Sequence, residues 1–392
     1  MVRTVFALLL LCLGSLSAAS EALYLTLLDH PERHLAISWL SKEAVEGTVK
    51  FRKEGATDWK TAVPSSTVLD KLFGYHLERV ELDGLEPATR YEFQLPEEAK
   101  QYTFTTLATT FNQPMRFVTG GDIYHDEIEL VEEMNRVAAR EDPHFALLGG
   151  DISYAGSKHY FFSESSERWL AFLNAWSKTM VRSNGDLIPM AVAIGNHDVN
   201  NGGFDESPAQ AYLFYQLFLP AGRCYRTIDV GNDLSIFMLD SGHTVPVQGE
   251  QTDWLRGVLK EREGRRWKFA IYHVPAYPSV RAYSGIRSAK IRKHWVPLFE
   301  EYRLTTAFEN HDHAYKRTHP ILKGAVHPTG VMYLGDGSWG VKEPRTPRTP
   351  QQSWYIAKSK SVRQLLLVTL TEGMARYESI DNQGKRVDSF TR

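Results

Sequence analysis

Side chains able to ligate metal ions stand where apolar runs end. Phe117-Val-Thr-Gly-Gly121 leads into Asp122, and Ala146-Leu-Leu-Gly-Gly150 leads into Asp151, with Tyr154 three residues on. Ala191-Val-Ala-Ile-Gly195 precedes Asn196-His197-Asp198, Phe269-Ala-Ile-Tyr272 precedes His273, and Thr306-Ala-Phe-Glu-Asn310 precedes His311-Asp312-His313. Carboxylate, phenol, carboxamide and imidazole are the donors of a metal centre. His311 and His313 are spaced i, i+2, so on an extended segment they point the same way and serve one metal or two adjacent ones. Gly121, Gly150 and Gly195 sit directly before Asp122, Asp151 and Asn196. A glycine there suits a sharp turn off a strand or a close backbone approach.

The elements that would gather these residues follow from the apolar pattern. After a linker at Ala108–Pro114, buried runs alternate with helical stretches, as in an α/β layer. Met115–Thr119, Phe145–Leu148, Ile188–Ile194, Leu234–Leu239, Phe269–Tyr272, Thr305–Phe308 and Val331–Leu334 read as strands. Glu127–Arg140 reads as a helix with Ile128, Val131, Met134 and Ala138 on one face. In open α/β sheets the carboxyl ends of the strands border one crevice, so the ligand types converge there. Lys342–Pro350 reads as a surface loop, and Val362–Thr391 as terminal strands turned at Glu372-Gly373 and at Asp381–Gly384.

Upstream of the linker the text is short alternating strands: Leu23–Leu28, His34–Leu40, Gly47–Phe51, Tyr75–Leu82, Thr89–Leu95 and Gln101–Thr106. Trp39 is placed like a core tryptophan, and Leu85–Tyr91 like a tyrosine corner. This segment resembles a fibronectin type III domain and holds no cluster of metal-binding residues, which makes it a scaffold or docking module. The expected organisation is a signal peptide at 1–19, an all-β sandwich at 20–108 and an α/β catalytic domain at 112–392 that includes the strands of 362–391.

Composition narrows the function classes. The chain has 392 residues, 43% apolar and 23% charged, with a net charge of -2. Such a balance gives no nucleic-acid-binding signature, which calls for a strongly basic face. Arg3, the apolar run Val5–Leu13 and Ser17-Ala18-Ala19 read as a secretory signal peptide, placing the protein outside the cytoplasm, extracellular or periplasmic. No other segment is apolar enough to span a membrane. Of the two cysteines, Cys12 leaves with the signal and Cys224 remains as a buried small residue, so no internal disulfide forms.

From Met115 onward the chain resembles a calcineurin-like metallophosphoesterase, and within that superfamily a purple acid phosphatase. Gly150-Asp-Ile-Ser-Tyr154 matches the G-D-x-x-Y block and Gly195-Asn-His-Asp198 matches G-N-H-[DE]. His273–Tyr277 resembles the block of the next histidine ligand, and His311-Asp-His313 resembles H-x-H. The resemblance implies two mixed β-sheets packed together and flanked by helices, behind the N-terminal sandwich. It also implies a dinuclear centre, with Asp122, Asp151, Tyr154 and His313 around the first metal. Asp151, Asn196, His273 and His311 would hold the second, Asp151 bridging. Oxygen donors at the first suit Fe(III); imidazole and amide at the second suit divalent Fe, Zn or Mn.

Three positions depart from the family pattern. Ile123-Tyr124 stands where D-x-G has its glycine, so Tyr124 either reaches the first metal or crowds it, and His125 lies one residue beyond the superfamily's histidine ligand. Asn310 replaces a glycine before His311, and Ala270 a valine. The implied activity is hydrolysis of a small-molecule phosphate monoester by a metal-bound hydroxide. His197 faces the substrate and Asp198 orients its ring. A phosphodiesterase would use the same metals. An inert surface-binding protein would lack the bridging ligand or the second histidine, and neither is missing. His159, His243 and His319 lie near motif loops, while Tyr277 and Trp339 suit either the cleft wall or packing.

Overall fold

The computed structural model describes residues 20–156, 165–204, 207–219 and 221–392. The signal-peptide reading of 1–19 and His159 lie outside the described residues. A ten-stranded sheet runs, by strand, 386–391, 375–381, 364–370, 115–120, 145–149, 190–193, 21–27, 35–41, 75–82 and 65–69. A seven-stranded sheet runs 226–230, 234–238, 267–271, 306–309, 332–335, 315–318 and 356–360. A four-stranded sheet (60–62, 49–53, 90–94, 101–105) completes the N-terminal sandwich.

Strand alternation explains how the layers stack. Phe117, Phe145, Leu147 and Ala191 point between the two large sheets, where they meet Phe269 and Phe308. Val118, Ala146, Leu148 and Val192 point to the opposite face, under the helices Ile128–Arg140 and Ser166–Thr179. Both faces are covered, which is why these strands read as continuous apolar runs rather than alternating ones. Val131, Met134 and Ala138 are buried on the first helix as its periodicity requires. On the far side of the seven-stranded sheet, Leu255, Trp295 and Phe299 pack against Phe237 and Tyr272.

The N-terminal sandwich shares a sheet with the rest of the chain. Strand Glu21–Leu27 pairs in parallel with Met190–Ala193, Thr26 opposite Met190. Trp39 is buried, and the Tyr91 hydroxyl accepts the Glu86 N–H at 2.9 Å, the expected tyrosine corner. Strands Lys60–Ala62 and Ser65–Leu69 escape the sequence pattern because they are polar edges, largely exposed. Cys224 is buried and unbridged, its thiol pushed up to about 12 by burial and by Asp240.

A buried carboxylate ties the sandwich to the turn before Met190. Asp186 accepts from Arg90 Nε at 2.7 Å, Thr105 Oγ1 at 2.6 Å and Asn184 Nδ2 at 2.9 Å. Burial opposes its ionisation, but the Thr105 and Arg90 hydrogen bonds outweigh burial and hold the carboxyl below 3.8. A depressed folded-state value adds stability above the unfolded value, lost as pH falls through the folded one. Asp186→Asn is therefore expected to lower the urea midpoint at neutral pH and to flatten the loss of stability below about 3.8, read from unfolding curves across acid pH.

Candidate metal centre

The expected ligands meet at the carboxyl ends of the strands, and the loops carrying them are cross-linked through the backbone. Asp122, Ile123 and Tyr124 donate their N–H groups to the carbonyls of Gly150, Asp151 and Ile152 at 2.9–3.0 Å. Asp198 ties its own loop to the Asp151 loop, accepting from Gly195 N at 2.9 Å and Ile152 N at 2.8 Å. The turns are sharp enough that the ligands themselves carry positive φ: Asp122 56°, Asp151 53°, Tyr154 53°, His311 79° and His313 59°. Each such non-glycine residue costs on the order of 1–3 kcal/mol and persists only where its surroundings over-determine it.

The preceding glycines answer to space as well as to φ. Gly150 has φ +92°, whereas a Cβ on Gly195 would lie 2.2 Å from the Asp151 amide nitrogen. Asn310 is accommodated because Gly121 and Gly149 leave room for its carboxamide, which donates to Tyr272 O at 3.0 Å. Its departure from the family glycine is thereby absorbed by packing.

Two donor sets adjoin. In the first, Asp122 Oδ1 lies 2.8 Å from the Tyr154 hydroxyl and 2.8 Å from His313 Nε2, while Tyr154 and His313 are 3.2 Å apart. In the second, Asp151 Oδ2 is 3.1 Å from His273 Nε2, and His273 Nε2 is 3.0 Å from His311 Nδ1. Asp151, His273 and His311 offer ligand atoms all within 4.8 Å of one another. His273 Nδ1 lies 3.0 Å from Gly149 O, a contact that aims Nε2 into the centre. Asp151 Oδ2, Asn196 Oδ1 and His197 Nδ1 are buried without a hydrogen-bond partner. Buried acceptors left without a hydrogen bond beside a cluster of ligand atoms are what a cation satisfies, so the residues fit a dinuclear centre.

Burial disfavours a charged His273, yet Asp151 and Asp122 outweigh burial and raise it to about 9. Burial, Asp122 and Asp151 hold the Tyr154 phenol protonated, well above its ordinary value. Burial and the neighbouring His273 push His311 well below the imidazole range. Carboxylates so close to one another and to neutral lone pairs demand positive charge.

The family comparison now decides the class. The calcineurin-like phosphoesterase model matches residues 115–315, and the purple acid phosphatase N-terminal domain model matches 20–106. The chain belongs to the calcineurin-like phosphoesterase family. It is a metal-dependent phosphoesterase of the purple acid phosphatase type. Purple acid phosphatase 21 of Arabidopsis thaliana is 25% identical over 323 residues, covering 79% of this chain and 69% of the relative. Purple acid phosphatase 23 of the same plant is 26% identical over 336 residues, covering 76% and 70%. The yellow lupin purple acid phosphatase PPD1 superposes with a TM-score of 0.76 at 16% identity, over 95% of this chain and 74% of its own. A PhoD structure superposes at 0.68 with 14% identity, over 95% and 93%.

Some expectations about the surroundings change. Asp198 does not orient His197: its carboxylate is spent on backbone N–H groups, His197 Nδ1 has no partner, and burial with Asp151 pushes Asp198 up to about 8. His197 instead stacks on Tyr154, rings 4.5 Å apart at 20°, and gives its N–H to Asp151 Oδ1 at 2.7 Å. Tyr124 is partly buried against the core, its ring 3.8 Å from the Arg168 guanidinium. His243 is fully buried behind His273, its nitrogens on Gly203 O and Ser241 Oγ, and His319 is exposed. Tyr277 and Trp339 are core residues. His125 and Arg168 are the near-site residues that motif spacing does not mark. Loading metal into metal-free protein is expected to release protons, measured with an indicator dye, and Tyr154→Phe is expected to release fewer.

Proposed function

We propose that this protein is an exported dinuclear phosphatase that hydrolyses small-molecule phosphate monoesters. The observation carrying this reading is Asp151, one of whose oxygens closes the imidazole set while its neighbours at 122 and 154 complete an adjoining oxygen-rich set. Asp122, Asp151, Tyr154 and His313 would hold the first metal, for which Fe(III) is the proposed occupant. Asp151, Asn196, His273 and His311 would hold a divalent Fe, Zn or Mn ion. Bound, such a pair supplies charge neutralisation at the phosphoryl oxygens and water activation near neutral pH.

The chain's own residues do the positioning. His197, half-covered and stacked on Tyr154, presents its ring beside the oxygen-rich set, where it can hydrogen-bond a phosphoryl or leaving-group oxygen. Asp151 holds the His197 backbone and so fixes that ring relative to the metal ligands. Apolar packing beneath the strand ends keeps these groups rigid, which lets small donor displacements matter to turnover.

Export is supported by the sequence of residues 1–19; among the described residues no helix is long and apolar enough to cross a membrane. Purified protein is expected to hydrolyse 4-nitrophenyl phosphate faster than bis(4-nitrophenyl) phosphate; the reverse order would make it a diesterase. Asp151→Asn is expected to lose metal and activity together. His197→Ala is expected to keep both metals by elemental analysis while kcat falls about 10²–10⁴-fold. Equal metal loss in the two variants would refute this division of roles.

A further inference from the structure

His125 sits one residue past the position where the superfamily has its histidine, yet its ring reaches the first donor set. It meets the His313 ring edge-on at 4.7 Å and the Tyr154 ring edge-on at 4.9 Å. Tyr154 thus touches two imidazoles, His197 stacked on its ring and His125 nearly perpendicular to it. The route of the chain explains this placement. Tyr124, packed against the core, lies under the Arg168 guanidinium, which also donates to the carbonyls of Tyr124, His125 and Ser153. One arginine thereby fixes both first-set loops, and His125 stands on the first of them.

The ring is held at its other end by Asp126. His125 Nδ1 lies 2.8 Å from Asp126 Oδ2, close enough for an ion pair though not aligned as a hydrogen bond. Asp126 is itself anchored by the Lys342 N–H at 2.7 Å. Nδ1 is buried, whereas the side chain as a whole is 29% exposed. The nitrogen left for a ligand is therefore Nε2. Metal ligands here, by contrast, are 0–8% exposed. His125 occupies the rim of the centre rather than its floor.

We infer that His125, oriented by Asp126, is a substrate-contacting residue that hydrogen-bonds an oxygen of the bound phosphoryl group through Nε2. The inference rests on the phosphatase reading above and adds to the substrate-binding set a residue outside the motif blocks. Asp126 is a positioning residue, acting through the ring. The carboxylate pairs electrostatically with Nδ1 at 2.8 Å, which leaves Nε2 as the nitrogen offered to a ligand.

Inorganic phosphate is the probe, its binding to the metal-loaded protein measured by calorimetry without turnover. His125→Ala is expected to keep full metal content and weaken phosphate binding about tenfold or more, the effect of losing one hydrogen bond to a charged group. KM for 4-nitrophenyl phosphate should rise in parallel. His125→Gln, which keeps a donor at similar reach, should recover part of the loss, and Asp126→Asn should fall between. Unchanged phosphate affinity in His125→Ala would overturn the assignment, as would loss of a metal equivalent, which would make His125 a ligand instead. An inactive wild-type protein that still shows the phosphate effect would overturn the hydrolytic reading and leave this one standing.

Discussion

Two carboxylates buried side by side dominate the energetics of this chain. Asp122 and Asp151 lie at the floor of the centre, wholly buried, with imidazoles and a phenol at hydrogen-bonding distance. Uncompensated, such charges are among the most costly features a protein interior can contain. The raised His273 offsets part of this charge, and the neutral Tyr154 hydroxyl donates to Asp122 Oδ1. A pair of cations does so better, because it also satisfies the Asp151 and Asn196 oxygens that are left without an aligned hydrogen bond. The rest of the fold can be understood as the apparatus that keeps these groups together.

That apparatus is backbone. The ligand loops leave the strands through left-handed residues, and they are joined by N–H donation from residues 122–124 to the carbonyls of 150–152 and by Asp198 between residues 195 and 152. Strained conformations at several ligands are tolerable because both large sheets are packed on both faces, with rings such as Phe117, Phe145, Phe269 and Phe308 interlocked between them. The sandwich contributes to this rigidity directly, since its first strand extends the same sheet that carries Asp122 and Asp151.

Ligand types at strand ends were readable from residues alone, because a doubly covered strand leaves a long apolar run and a metal centre leaves a polar residue directly after it. His273, His311 and His313 all fall in that pattern. What escaped has a different cause. No local signal encodes the parallel pairing of Thr26 with Met190, which depends on two distant strands meeting. The edge strands 60–62 and 65–69 carry no apolar face to reveal them. Asp198 follows a catalytic-looking histidine, yet two buried backbone N–H groups compete for its carboxylate and win. His125 lies one residue beyond the position that motif spacing marks, and only the folded loop shows its ring against His313 and Tyr154.

The central claim is that one pair of cations is clamped around Asp151. Crystals of the metal-loaded protein, with anomalous data collected at the iron and zinc edges, test it most directly. The account predicts two peaks about 3.5–4 Å apart, one beside Tyr154 and one beside His273, with the Asp151 carboxylate between them. A single peak, or a pair that leaves Asp151 out of contact, would contradict it.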